Sequence, residues 1–97
     1  MKEKQIRDKA VEILKSQGWF CWWSPKAKWQ ETDIFGIGDI LCSRKDSIKL
    51  IQVTTTSNLS ARRKKIKKVL ENMELGCPIE IWAYNKQKGE FKIGREN

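Results

Sequence analysis

The stretch that most restricts this chain runs from Asp33 to Thr56. It reads Asp-Ile-Phe-Gly-Ile-Gly-Asp-Ile-Leu-Cys, then a polar break at Ser43-Arg44-Lys45-Asp46, then Ile-Lys-Leu-Ile-Gln-Val-Thr-Thr-Thr from Ile48. Two apolar runs around a short polar break predict two strands in a hairpin, at about 33–43 and 47–55. Alternate residues of a strand share a face, so Gln52 and Thr54 point the same way within an otherwise apolar strand. Burying polar groups is costly unless they find partners. Two such groups on one strand, with Asp33 and Asp39 on its neighbour, mark a site rather than plain core.

The rest of the chain frames that pair. Ninety-seven residues predict one domain, 1–97, with one modest core. A hydrophobic share of 39% argues against wholesale disorder. The net charge of +8 is large for so short a chain and calls for a polyanionic partner. Nucleic acid is the first expectation, an anionic membrane surface the second. No apolar run is long enough for a membrane span, and Met1-Lys2-Glu3-Lys4-Gln5 opens an amphipathic helix rather than a signal peptide. An intracellular protein is therefore expected.

Chemistry is restricted by what is missing. The chain has no histidine, which removes Ser-His and Cys-His catalysis. The three cysteines, Cys21, Cys42 and Cys77, are widely spaced, with no Cys-x-x-Cys pair. A structural zinc site is excluded on that ground. Three buried free thiols are expected instead, as in a reducing compartment. Any catalysis must then rest on carboxylates, lysines and a metal.

Residues 3–17 predict a helix with Ile6, Ala10, Ile13 and Leu14 on one face and Gly18 as its stop. Trp19 to Trp23 reads as a strand, broken by Ser24-Pro25. Gly36 and Gly38 predict a bulge or bend in the next strand. Ser57 to Ser60 caps a second helix over about 61–74, with Ile66, Val69, Leu70 and Met73 inward. Ile79 to Tyr84 and Glu90 to Ile93 read as strands. The expected fold class is α/β, a central mixed four- to five-stranded sheet flanked by helices in the order α-β-β-β-α-β(-β). The strand–helix–strand step from Gln52 to Ile81 predicts a parallel crossover.

Two basic segments fit a polyanion. Arg62, Arg63, Lys64 and Lys65 open the second helix, followed by Lys68. Cations there oppose the helix dipole and repel one another, so folding alone does not explain them; phosphate contact does. In Trp22-Trp23-Ser24-Pro25-Lys26-Ala27-Lys28-Trp29, aromatics alternate with cations, so Lys26 and Lys28 are candidates for phosphate and Trp29 for a stacked base. Trp19 and Trp82 are expected in the core.

The order of elements, Gly38-Asp39-Ile40-Leu41 on the second strand and Ile51-Gln52-Val53-Thr54 on the third resemble the PD-(D/E)xK nuclease superfamily. The small Holliday-junction resolvase-like members are the nearest in pattern. The resemblance covers about residues 3–84 and implies a restriction-endonuclease-like fold. It also implies a DNA-binding, Mg²⁺- or Mn²⁺-dependent endonuclease that hydrolyses phosphodiesters, with branched or structured DNA as one substrate. Asp39 then corresponds to the metal-binding Asp. Gln52 stands where the family has the second metal-binding acid, and Thr54 where it has the lysine that orients the attacking water. Asp33 would be a supporting carboxylate, Glu3 on the first helix a further one, and Arg62, Arg63 or Lys64 a substitute for the lysine. Magnesium favours carboxylate oxygens, so Gln52 leaves two readings open: a ligand through its carbonyl, or the mark of an inactive nuclease fold kept as a nucleic-acid-binding module or as a subunit of a larger assembly. Small members of this fold often dimerise, so a homodimer is among the expected states.

Overall fold

The computed structural model describes residues 2–24, 34–35 and 37–97. The first helix, α1 (Glu3–Ser16), forms because Ile6, Ala10, Val11 and Leu14 recur on one side and all become buried. Its N-terminus is closed by the Lys2 backbone N–H donating to Gln5 Oε1 at 2.8 Å. Gly18, at φ +88°, lets the chain turn out of the helix. Val11 rather than Ile13 completes the inward face, and Ile13 stays 38% exposed. Glu3, Ile6, Ala10 and Leu14 centre that face, while Ile13 sits on its flank.

The sheet has five strands: β1 (Phe20–Trp22), β2 (Ile40–Arg44), β3 (Ser47–Thr55), β4 (Ile79–Asn85) and β5 (Glu90–Arg95). They lie side by side in chain order. The first three form an antiparallel meander, β4 runs parallel to β3, and β5 returns antiparallel to β4. A short 3₁₀ turn, Thr56–Asn58, leads into the second helix, α2 (Leu59–Leu70), which makes the crossover between β3 and β4. The class is α/β, with a mixed five-stranded sheet and two helices, as the order of apolar runs predicts.

Two boundaries differ from expectation for identifiable reasons. The run before Asp39 is not strand. Ile34 N donates to Gly38 O at 2.7 Å and Gly38 N returns to Ile34 O at 3.0 Å, closing a tight turn in which Phe35 has φ +54°. Gly38 passes so close to Leu50 that a Cβ there would lie 2.3 Å from the leucine side chain. That contact is long-range and invisible to local patterning. The second helix starts two residues early and ends at Leu70, after which Met73 and Leu75 still pack against the core without helical backbone.

Each face of the sheet carries its own core. On one side Ile40, Cys42, Ile51, Val53, Trp82 and Tyr84 pack with α1 and Trp19. On the other Leu50, Ile79 and Ile81 pack with Ile37 and with Ile66 of α2. Trp19 and Trp82 are both buried. Trp82 Nε1 and Lys49 Nζ each donate to Glu80 Oε1 at 3.0 Å, which satisfies the indole within the core. Of the thiols only Cys42 is fully buried; Cys21, its direct partner across β1–β2, and Cys77 are half-buried. No helix among the described residues is long and apolar enough to cross a membrane.

Candidate functional site

The site sits where β2 begins beside the middle of β3, on the face that α2 covers. Parity puts it there: Leu50 and Leu41 both pack into the α2-side core, so Gln52, Thr54 and Asp39 share that face. Asp39 N donates to Ile51 O at 2.7 Å, which anchors the aspartate to β3 at the first rung of the hairpin. The turn held by Gly38 against Leu50 sets the backbone just before it.

Asp39 Oδ2 accepts two hydrogen bonds, from Gln52 Nε2 and from Val53 N, both at 2.8 Å. Gln52 Nε2 also reaches Val53 O at 3.2 Å. Gln52 is only 1% exposed, and its Oε1 has no hydrogen-bond partner among the described residues. A buried amide oxygen left unpaired beside a carboxylate is unusual, because buried polar atoms are nearly always satisfied. Thr54, 7% exposed, follows on the same face.

Past Thr54 the strand end opens into a small cavity of about 120 Å³. Glu3 and Ile6 of α1 line it from one side, Val53 to Thr55 of β3 from below, and Asn58 and Arg62 from the α2 side. The structure therefore gathers Asp39, Gln52 and Thr54 in a row and places Glu3 and Arg62 at its end. Glu3 gets there because it lies on the inward line of α1, ahead of Ile6 and Ala10.

The other cations of α2 divide. Arg63 Nε donates to Glu96 Oε1 at 3.0 Å, so this arginine turns toward the end of the chain. Lys64 and Lys67 line a shallow basic hollow with Ser60 and Leu59. Lys65 and Lys68 are exposed. Lys26, Lys28, Trp29 and Asp33 lie outside the described residues. Among the described residues no group of three His, Cys, Asp or Glu side chains is placed to hold a metal.

Cys42 and Cys21 pack on the opposite, α1-side face of the sheet. Burial, reinforced by Cys21, pushes the Cys42 thiol up to about 12, and burial also raises that of Cys77. Both are thereby held in the thiol form near neutral pH.

Sequence patterning does not single out Phe20: it and Trp22, two apart on β1, are 81% and 54% exposed on the same sheet face as Asp39. Their alternation with Cys21, which packs into the α1-side core, was the available signal. Comparison with known proteins finds no family model that matches the chain and no curated protein that matches it.

Proposed function

We propose that this chain has the restriction-endonuclease-like architecture and hydrolyses nucleic-acid phosphodiesters, most readily those of DNA, with a divalent metal. The observation that carries the reading is the Asp39–Gln52 contact with its buried, unpaired amide oxygen. The order of elements supports it: a helix, an antiparallel three-strand meander, a helix and a parallel fourth strand. So does the position of the polar row, at the start of β2 and the middle of β3.

The donor set suits a hard cation. Asp39 offers a carboxylate, Gln52 Oε1 a neutral carbonyl, and both are the oxygen type that Mg²⁺ takes. A bound Mg²⁺ would supply Lewis-acid stabilisation of the phosphate and lower the pKa of a coordinated water. The remaining work belongs to the chain. Thr54 can hold a water by hydrogen bond but cannot take its proton. Arg62 offers only N–H donors and serves as a phosphate clamp rather than a base. Hydrolysis adds water across one P–O bond, leaving a phosphate monoester on one side and a hydroxyl on the other.

The test is cleavage of branched, single-stranded and duplex DNA with Mg²⁺ or Mn²⁺, comparing wild type with Asp39→Asn. Asparagine Oδ1 can still accept from Val53 N and Gln52 Nε2, so the fold should survive. Loss of cutting with DNA affinity retained is the expected result; an unchanged rate in the variant removes Asp39 from the chemistry. A second reading, a binding module without catalysis, is favoured by the two hydrogen bonds that already satisfy Asp39 Oδ2. It predicts DNA affinity that falls steeply with salt, indifferent to Mg²⁺.

A further inference from the structure

Three large aromatic side chains on the Asp39 side of the sheet stay largely exposed. Phe20 is 81% exposed, Trp22 54% and Phe35 61%. Phe35 is also held at φ +54°, a left-handed conformation that bulky residues rarely adopt. An exposed phenylalanine in a strained backbone is not explained by stability, and such strain tends to collect at functional sites.

Their placement follows from register. Trp22 pairs with Leu41, and Phe20 with Ser43. Leu41 packs on the α2 side, so Phe20 and Trp22 stand on that side as well. Asp39 is two residues before Leu41, hence the diagonal neighbour of Trp22, about 7–8 Å away between backbones. Ile34 and Ile37 pack into the α2-side core, which brings the Phe35 turn to this side too. Helix α2 packs on β3 and β4, and β1 is the edge of the sheet. The aromatic strip thus lies beside α2 and continues from the Asp39 row to the sheet edge.

We propose that Phe20, Trp22 and Phe35 form a stacking platform for unpaired nucleotide bases, so that the substrate is single-stranded or locally unpaired nucleic acid with its backbone at Asp39. This deepens the nucleic-acid reading above and rests on it. Every base has a π-face, so aromatic platforms bind single strands with little sequence preference. Charge agrees with this occupant. Arg63 turns toward Glu96, and Arg62 and Lys65, three apart, share the other flank of α2. A net charge of +8 attracts a polyanion and opposes face-to-face docking of a second copy.

The experiment measures binding of a short labelled oligothymidylate, and of the same strand carrying abasic sites, to wild type, Trp22→Ala and Trp22→Phe across a salt series. Wild type should prefer the intact strand by about 5- to 150-fold in Kd per stacked base. Trp22→Ala should lose one base's share of that preference, bind the abasic strand as wild type does and keep the same salt slope, while Trp22→Phe retains most of the affinity. Unchanged binding by Trp22→Ala, or an equal loss on both strands, overturns the proposal while leaving the nucleic-acid reading intact. A wild type that binds neither strand overturns both. Sedimentation decides the competing occupant: a wild-type dimer that Trp22→Ala splits into monomers assigns the strip to a second copy and overturns the platform.

Discussion

Gln52→Glu restores the carboxylate that the resemblance expects, and its cost can be worked from the geometry. In the native chain Gln52 Nε2 donates to Asp39 Oδ2 at 2.8 Å. A carboxylate in its place would set two negative charges at that separation. At an effective dielectric near 20 their repulsion is about 6 kcal/mol. Protonating one of them at pH 7 costs only about 4 kcal/mol from a reference pKa of about 4.3, so protonation wins and limits the loss. The protonated acid can then donate to Asp39 as the amide did. The new group's folded pKa is raised above its unfolded value. Its penalty is therefore absent below about pH 4 and grows by about 1.4 kcal/mol per pH unit above it, reaching about 1 kcal/mol at pH 5.

Urea unfolding at pH 5 and pH 7, in chelator and in Mg²⁺, reads this directly. In chelator the variant should lie about 1 kcal/mol below wild type at pH 5 and about 4 kcal/mol below it at pH 7. Magnesium at a hundredfold excess over its Kd for the variant should raise the variant's own stability by about 2.7 kcal/mol. A variant equal to wild type at both pH values, or a loss that ignores both pH and Mg²⁺, would show that position 52 does not share a cation site with Asp39.

Three further outcomes are expected. Gly38→Ala should cost about 1–3 kcal/mol in the same unfolding assay, because its Cβ would stand 2.3 Å from the buried Leu50 side chain. Cys42 should resist alkylation in the native state, and stability should fall as pH rises above about 9, since folding holds this thiol protonated up to about 12 while the unfolded thiol ionises near its ordinary value of 9.0; labelling of Cys42 at neutral pH without unfolding would contradict its burial. Arg62→Ala should weaken DNA binding on all sequences and reduce the salt slope by about one, as expected of a phosphate clamp at the mouth of the Glu3–Thr54 cavity.

Local pattern carried the frame of this molecule. The period of two in β3 put Gln52 and Thr54 on one face, and the helical period of residues 3–16 put Glu3 on the inward line. The single helix between two apolar runs made β4 parallel to β3. What local pattern could not carry depends on contacts between distant residues. The turn at Ile34–Gly38 exists because Gly38 must slide under Leu50, and without that contact the same residues read as strand. The Asp39–Gln52 bond spans thirteen residues and needs the exact hairpin register, Ile40 opposite Ile51. Arg62 and Arg63 are equivalent in sequence; only the chain end, bringing Glu96 to Arg63, separates their roles. On β1 the aromatic–cation segment starting at Trp22 pointed to exposure there, whereas Phe20, set among aromatic and sulfur-bearing neighbours, gave no local sign of its 81% exposure.

The central claim is that Asp39 and Gln52 make a cation site. Calorimetric titration of Mg²⁺ and Mn²⁺ into wild type and Asp39→Asn tests it most directly, because it needs no substrate and no assumption about which nucleic acid is cut. One saturable site is expected in wild type, and it should vanish in the variant. Heats that are absent in wild type, or identical in both proteins, would contradict it.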